Sequence, residues 1–510
     1  MNQKQTGPNI EKIHYINVGK GGTFCPSGDP YDSVPQDIDS LFQYLEESNK
    51  KKLVIYFHGG LVPADSGIST AERIVRYATN YTDAHPICFI WETGIKETIQ
   101  QNMETIAQSD FFRRLLIKII KVAGKSLGID VVNSLISSTP KGTGNLTEEE
   151  ILLELNEEEP FKNYVINSGA RSASVLDAIN LQNKEDIDRY LIPEITEEIT
   201  EEILADWKLK KLAEEEKPRH EAALMDSERL IDIKDDSKGI ISAAKLIAAA
   251  VKITVQVIKR HIQGRNHDFY PTIVEEALRE IYVADLGEWA WGRMKNKAKL
   301  MWQQDDFHDD PSKWPAGYYF LKKLDEYQSK VGKLTIDLVG HSAGSIAICE
   351  LIKSLKVNAI DLHFRHIIFM APACRCDLFA ETVLTEPQKF SSFRCFTMND
   401  EQEKKDSVIK YLYPRSLLYL ISGILEEEPD AHILGLQRHI TGKHPYTGGV
   451  FNNIIDFLKP QGRIIYSVTD GAEIGFQSRS ISHGGFDDDY EITLDSIMHL
   501  INQQNGQEHS

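Results

Sequence analysis

Apolar residues in the first 95 positions form short unbroken runs, and these alternate with stretches in which they recur every three or four residues. The runs at 13–18, 52–57 and 87–91 are rich in β-branched and aromatic side chains, which predicts strands buried on both faces. Between them, 35–48 and 68–80 carry the helical period. After position 333 the alternation returns, with strands expected at 334–339, 366–370, 393–398 and 463–468. Strand and helix in alternation predict an α/β fold, a mostly parallel sheet flanked by helices. Its sequence is split, with one half in 1–95 and the other in 333–510.

The intervening 96–332 reads as one large helical insertion with little strand-like alternation. Lys238, Ser242, Lys245, Ala249, Lys252, Gln256 and Lys259 recur at spacings of four and three, a narrow polar stripe on an otherwise apolar helix. Arg114, Lys118, Lys121 and Lys125 repeat the design among Phe111, Phe112, Leu115, Leu116, Ile119, Ile120 and Val122. A charge at the bilayer centre costs on the order of 3 kcal/mol, so neither segment is expected to span a membrane. Packing within the protein is the first expectation, and peripheral contact with lipid the second. The loop 139–144 and the charged run 214–219 are expected to be the flexible points of the insertion.

Charge sharpens this picture. Of the net −19, residues 147–236 supply −15, from 26 acidic against 11 basic side chains. Solvated helix faces are the expected explanation. Nucleic acid is excluded as the main partner, because phosphate binding needs a basic footprint. The six cysteines are too few and too scattered for a disulfide framework or a zinc site and are expected to be reduced. The N-terminal residues show no apolar run ending in a cleavage site, which points to the cytoplasm.

The chemistry concentrates at two strand ends. One apolar strand runs into Gly340-His341-Ser342-Ala343-Gly344 and then into a helical pattern. A serine on such a sharp turn is strained and exposed, and glycines two positions before and after it let strand and helix pass without collision. Upstream, the strand at 52–57 runs into His58-Gly59-Gly60-Leu61. Small residues there can turn backbone N–H groups toward a developing oxyanion, so Gly59 and Gly60, with Ala343, are the expected oxyanion hole. His341 is read as only the variable residue of the turn.

These two motifs resemble the α/β-hydrolase superfamily over roughly 1–95 and 333–505. The resemblance implies a lipase- or esterase-like serine hydrolase with Ser342 as nucleophile and the chain order nucleophile, acid, histidine. His483, on a Gly-bordered loop after the last expected strand, matches the superfamily's base. For the acid, Asp400 at the end of the strand 393–398 fits the usual position. Asp406 is the second candidate, and Asp377, after the preceding strand, the third. The implied reaction is cleavage of an ester or related acyl bond, on a small acyl or lipid substrate, with no metal and no organic cofactor. The alternative is a catalytically silent α/β-hydrolase scaffold that binds a ligand or protein. The insertion is expected to be a lid roofing the site with its apolar faces, lysines outward, or a docking surface for a protein partner.

Overall fold

In a computed structural model, the described residues are 10–28, 30–60, 64–91, 103–131, 145–166, 184–215, 243–283, 286–488 and 491–503. Seven strands form one parallel sheet: β1 (Tyr15–Val18), β2 (Lys52–Phe57), β3 (His85–Trp91), β6 (Thr335–His341), β7 (Phe364–Met370), β8 (Phe390–Met398) and β9 (Ile464–Ser467), in the order β1-β3-β2-β6-β7-β8-β9. The register places Phe57 beside Gly340 and His341 beside Met370. The strand ends that carry the motifs therefore lie side by side.

Alternation along each strand explains the unbroken apolar runs. In β2, Leu53, Ile55 and Phe57 enter one hydrophobic layer while Val54 and Tyr56 enter the other; in β3, Ile87, Phe89 and Trp91 separate from Cys88 and Ile90 in the same way. Both faces are covered, so both sets must be apolar. The second layer is closed by Ile68, Ala71, Ile74 and Ala78 of the helix Ala64–Tyr81 and by Leu494, Ile497 and Ile501 of the helix Glu491–Asn502. The first is covered by the helices Pro35–Ser48, Ala316–Lys330 and Gly344–Val357.

The helix Ala316–Lys330 corrects the expected boundary. It falls within 96–332 yet belongs to the sheet layer, where Phe320 packs on Phe89 and Phe42 with ring centroids 5.5 and 5.7 Å apart. The insertion also holds a small antiparallel pair, β4 (Ile129–Val131) with β5 (Tyr164–Ile166). Three residues are too few to show alternation, so this pair is invisible in the sequence.

Members of both basic stripes are paired with carboxylates, although Lys245 and Lys252 are exposed, and part of the acidic stretch is engaged by the stripes rather than simply solvated. Arg114, Lys121 and Lys125 of the helix Asp110–Leu127 pair with Asp206, Glu202 and Glu198, and Lys118 lies within 3.8 Å of Glu148, Glu202 and Asp206. In the helix Ala243–Ile262, Lys259 pairs with Asp188 and Lys252 with Glu280. Five acidic residues of 147–236, Glu148, Asp188, Glu198, Glu202 and Asp206, are thus engaged by the stripes. Lys238, Ser242 and the loop 139–144 lie outside the described residues, as do 216–219 of the charged run.

Buried side chains of the insertion, among them Phe112, Leu115, Ile119, Ile199, Ile253, Val257 and Phe269, belong to the same continuous core as the first face of the sheet. Among the described residues no helix is long and apolar enough to cross a membrane. All six cysteines are free thiols.

Candidate active site

β6 ends at His341, and Ser342 turns the chain with φ at 51°. A left-handed conformation at a residue with a side chain costs on the order of 1–3 kcal/mol and persists only where its surroundings over-determine it. Here they do. The Ser342 N–H donates to the Met370 carbonyl at 2.8 Å, while its own carbonyl accepts from the Ala373 N–H at 3.0 Å and from Ser345 Oγ at 2.6 Å. A Cβ on Gly340 would lie 2.9 Å from the Gly344 carbonyl oxygen, and one on Gly344 only 2.2 Å from that of Phe57. Strand and helix cross in contact here, so both glycines are required.

The loop after β2 lies against this turn. A Cβ on Gly59 would sit 3.4 Å from Ser342 Cβ, and one on Gly60 2.8 Å from Ala343 Cβ. Ala343 begins the helix Gly344–Val357, whose N-terminal partial positive charge lies behind Ser342. His58 is a neutral brace. Its Nε2 accepts the Trp91 N–H at 3.1 Å, so its proton sits on Nδ1 and is directed at the Gly59 carbonyl, 2.5 Å away. Burial drives its pKa down to about 4. Leu61 lies outside the described residues.

Ser342 and His483 share one cavity of about 360 Å³. His58, Gly59 and Gly60 line it from one side, and Asp406, Val408, Leu417 and Leu420 from another. The loop around Asp487 and Asp488 completes the wall. That volume lies at the lower end of the range for small-molecule sites. None of the residues lining it comes from 96–332, so among the described residues the insertion does not roof the cavity. Ile247 and Val251, apolar residues of the helix Ala243–Ile262, pack against the main hydrophobic core.

The three acid candidates separate clearly. Asp400 accepts from Tyr419 Oη at 2.5 Å and pairs with Lys404 at 3.3 Å. Asp377 is bound by Arg375 at 2.8 Å and by the Leu378 N–H at 2.7 Å. Neither lines the cavity. Asp406 does, and its Oδ2 accepts the backbone N–H of His483 at 2.7 Å. Of the three candidates, Asp406 is the one that borders the cavity and contacts His483, through its backbone N–H. The reason is local: Asn399 caps the helix Asp400–Lys405 by accepting the Gln402 N–H at 2.9 Å, which starts a turn of helix that carries Asp400 aside and leaves Asp406 at its end.

His341 is more than the variable residue of the turn. Its Nδ1 is 3.0 Å from a carboxylate oxygen of Asp487, and its Nε2 is 3.0 Å from the carbonyl oxygen of His483. Tyr56 donates to the same Asp487 oxygen. Burial opposes the charge on His341, but Asp487 outweighs it and raises the His341 pKa. Asp487 is likewise disfavoured by burial, yet the paired His341 holds its pKa down to about 2. The only sequence signal for this pair was an aspartate four residues beyond His483.

Among the described residues no group of His, Cys, Asp and Glu is arranged to hold a metal ion. No family model, curated protein or solved structure matches this chain.

Proposed function

We propose that the chain is a serine hydrolase of α/β-hydrolase type that cleaves an ester or related acyl bond. The observation that carries this reading is the strained Ser342, at φ 51° on the C-terminal end of a central parallel strand, bordering the same cavity as His483 and Asp406. In the proposed reaction His483 takes the Ser342 hydroxyl proton as Oγ attacks the acyl carbon. The developing oxyanion meets the backbone amides of Ala343 and the Gly59–Gly60 loop. His483 then returns the proton to the leaving alcohol, and a water repeats the sequence to release the acid. Asp406 holds the histidine in place. Val408, Leu417 and Leu420 offer the acyl group an apolar wall, and the cavity volume favours short acyl chains over long ones.

A fluorophosphonate probe combined with a panel of short- and long-chain p-nitrophenyl esters tests this. The wild-type protein is expected to be labelled and to hydrolyse the short esters. Ser342→Ala is expected to lose labelling and to drop in turnover by up to about a million-fold. Equal labelling and hydrolysis in the alanine variant would overturn the reading, and an unreactive wild-type protein would favour the silent scaffold.

A further inference from the structure

Both ring nitrogens of His341 face acceptors that carry no hydrogen, the Asp487 carboxylate and the His483 carbonyl, each at 3.0 Å. His341 Nε2 can hydrogen-bond the His483 carbonyl, whereas Nδ1 meets the Asp487 carboxylate at ion-pair distance without hydrogen-bond alignment, a contact that needs the charge of an imidazolium. On the far side, the N–H of His483 is held by Asp406 at 2.7 Å. The backbone of His483 is thus tied at both its donor and its acceptor, and the His341 and His483 rings lie with centroids 5.2 Å apart. His341 is also the residue immediately before Ser342, so one side chain links the backbone of the base to the backbone of the nucleophile.

We infer that protonated His341, paired with Asp487, is a positioning residue that fixes His483 relative to Ser342, so that turnover depends on the His341 proton. This rests on the serine-hydrolase reading above. The charged and titratable groups around His341 come from three sides: Tyr56 and His58 at the end of β2, Arg73 on the helix Ala64–Tyr81, and His483, Asp487 and Asp488 on the C-terminal loop. Arg73 is engaged by Asp488 at 2.5 Å, and Tyr56 shares its proton with Asp487, which leaves Asp487 as the direct counter-charge of His341.

The sign follows from the direction of each shift. His341 has a raised pKa, so the charged form persists above the ordinary histidine value of 6.5 and is lost as pH rises through the shifted value. Asp487 stays ionised down to about 2, so the acid side leaves the pair intact. The pair therefore imposes an alkaline limb on kcat.

Three variants test it, with kcat, KM and the pH profile measured on a short-chain ester beside fluorophosphonate labelling. His341→Phe removes the donor and is expected to lower kcat on the order of a hundredfold with little change in KM, the scale on which a displacement of about 1 Å acts. His341→Gln keeps an amide donor near the Nε2 position at every pH; it is expected to restore most of kcat and to abolish the alkaline limb. Asp487→Asn removes the counter-charge and is expected to move that limb to lower pH by at least about one unit. If His341→Phe does not fold, the Gln profile alone decides. An alkaline limb unchanged in His341→Gln, or wild-type kcat in His341→Phe, would overturn the inference. Failure of the hydrolase reading is separate, since it appears as labelling or turnover that does not depend on Ser342.

Discussion

At the scale of single residues, the acid loop shows how one local choice redirects a side chain. Asn399, between β8 and Asp400, caps and opens the short helix Asp400–Lys405, so the Asp400 carboxylate turns to Tyr419 and Lys404. Asp406, at the far end of that helix, reaches His483. Asp406→Asn is expected to lower kcat on the order of a thousandfold or more, and Asp400→Asn less than about tenfold, measured on the same ester. The opposite ranking would return the acid to Asp400. Ser342, Gly340, Gly344, Gly59 and Gly60 were legible because their spacing states a steric requirement, and the close approaches around them are that requirement. The acid and His341 were not, because each depends on a partner far along the chain: 77 residues separate Asp406 from His483, and 142 separate His341 from it.

Among the elements, two basic stripes meet an acidic segment made of the helix Lys184–Ala205 and the Asp206 that follows it, so part of the charge that looked like solvated surface is paired. Asp206 is its most engaged member. It caps the helix Trp207–Glu215 by accepting the Leu209 N–H at 3.0 Å, lies 3.1 Å from Arg114, and faces the nearly buried Lys118 at 3.8 Å. Burial works against its charge, but the Leu209 amide and Arg114 together hold its pKa below the usual carboxylate value. Asp206→Ala removes the cap and leaves Lys118 with fewer counter-charges, so a loss of about 2–3 kcal/mol is expected in urea denaturation, with turnover of the folded fraction unchanged. A loss below about 0.5 kcal/mol would show that the stripe is ordinary screened surface. Strands were read to within three residues, and β7 and β8 start earlier than expected because Arg365 and His366, and Ser391 and Ser392, interrupt their apolar runs. The crossover helix Ala316–Lys330 was misassigned because an amphipathic helix looks the same whether its apolar face meets a sheet or another helix.

For the whole molecule, buried ionisable groups set the pH range in which the fold survives. His58, His85, His261, His366 and His432 all have pKa values driven down to about 4, chiefly by burial. The unfolded chain binds protons at these positions from about pH 6.5 downward while the folded chain refuses them until about pH 4, so stability falls as pH drops through that window. A second loss begins lower. Burial alone would raise the pKa of Glu275, but His267 and Arg260 hold it at about 2, so its contribution is complete above the ordinary value of 4.5 and fades below it. Thermal melts are expected to show a midpoint nearly flat from pH 8 to 7, then falling steadily from about 6.5 toward 4. A midpoint that is flat down to pH 5 would contradict the buried neutral histidines.

The strand order has a consequence in time. β1, β3 and β2 are all made within the first 91 residues, yet the neighbour of β2 on its other side is β6, which starts at Thr335. At about 5–20 residues per second a ribosome needs on the order of 15–60 s to make the chain between them. Throughout that interval β2 presents an open row of amides and carbonyls flanked by Leu53, Ile55 and Phe57, the kind of edge that other nascent chains can join. The segment that finally covers that edge is the one bearing Ser342, so the pairing of β2 and the placement of the nucleophile are a single late event in the life of each molecule.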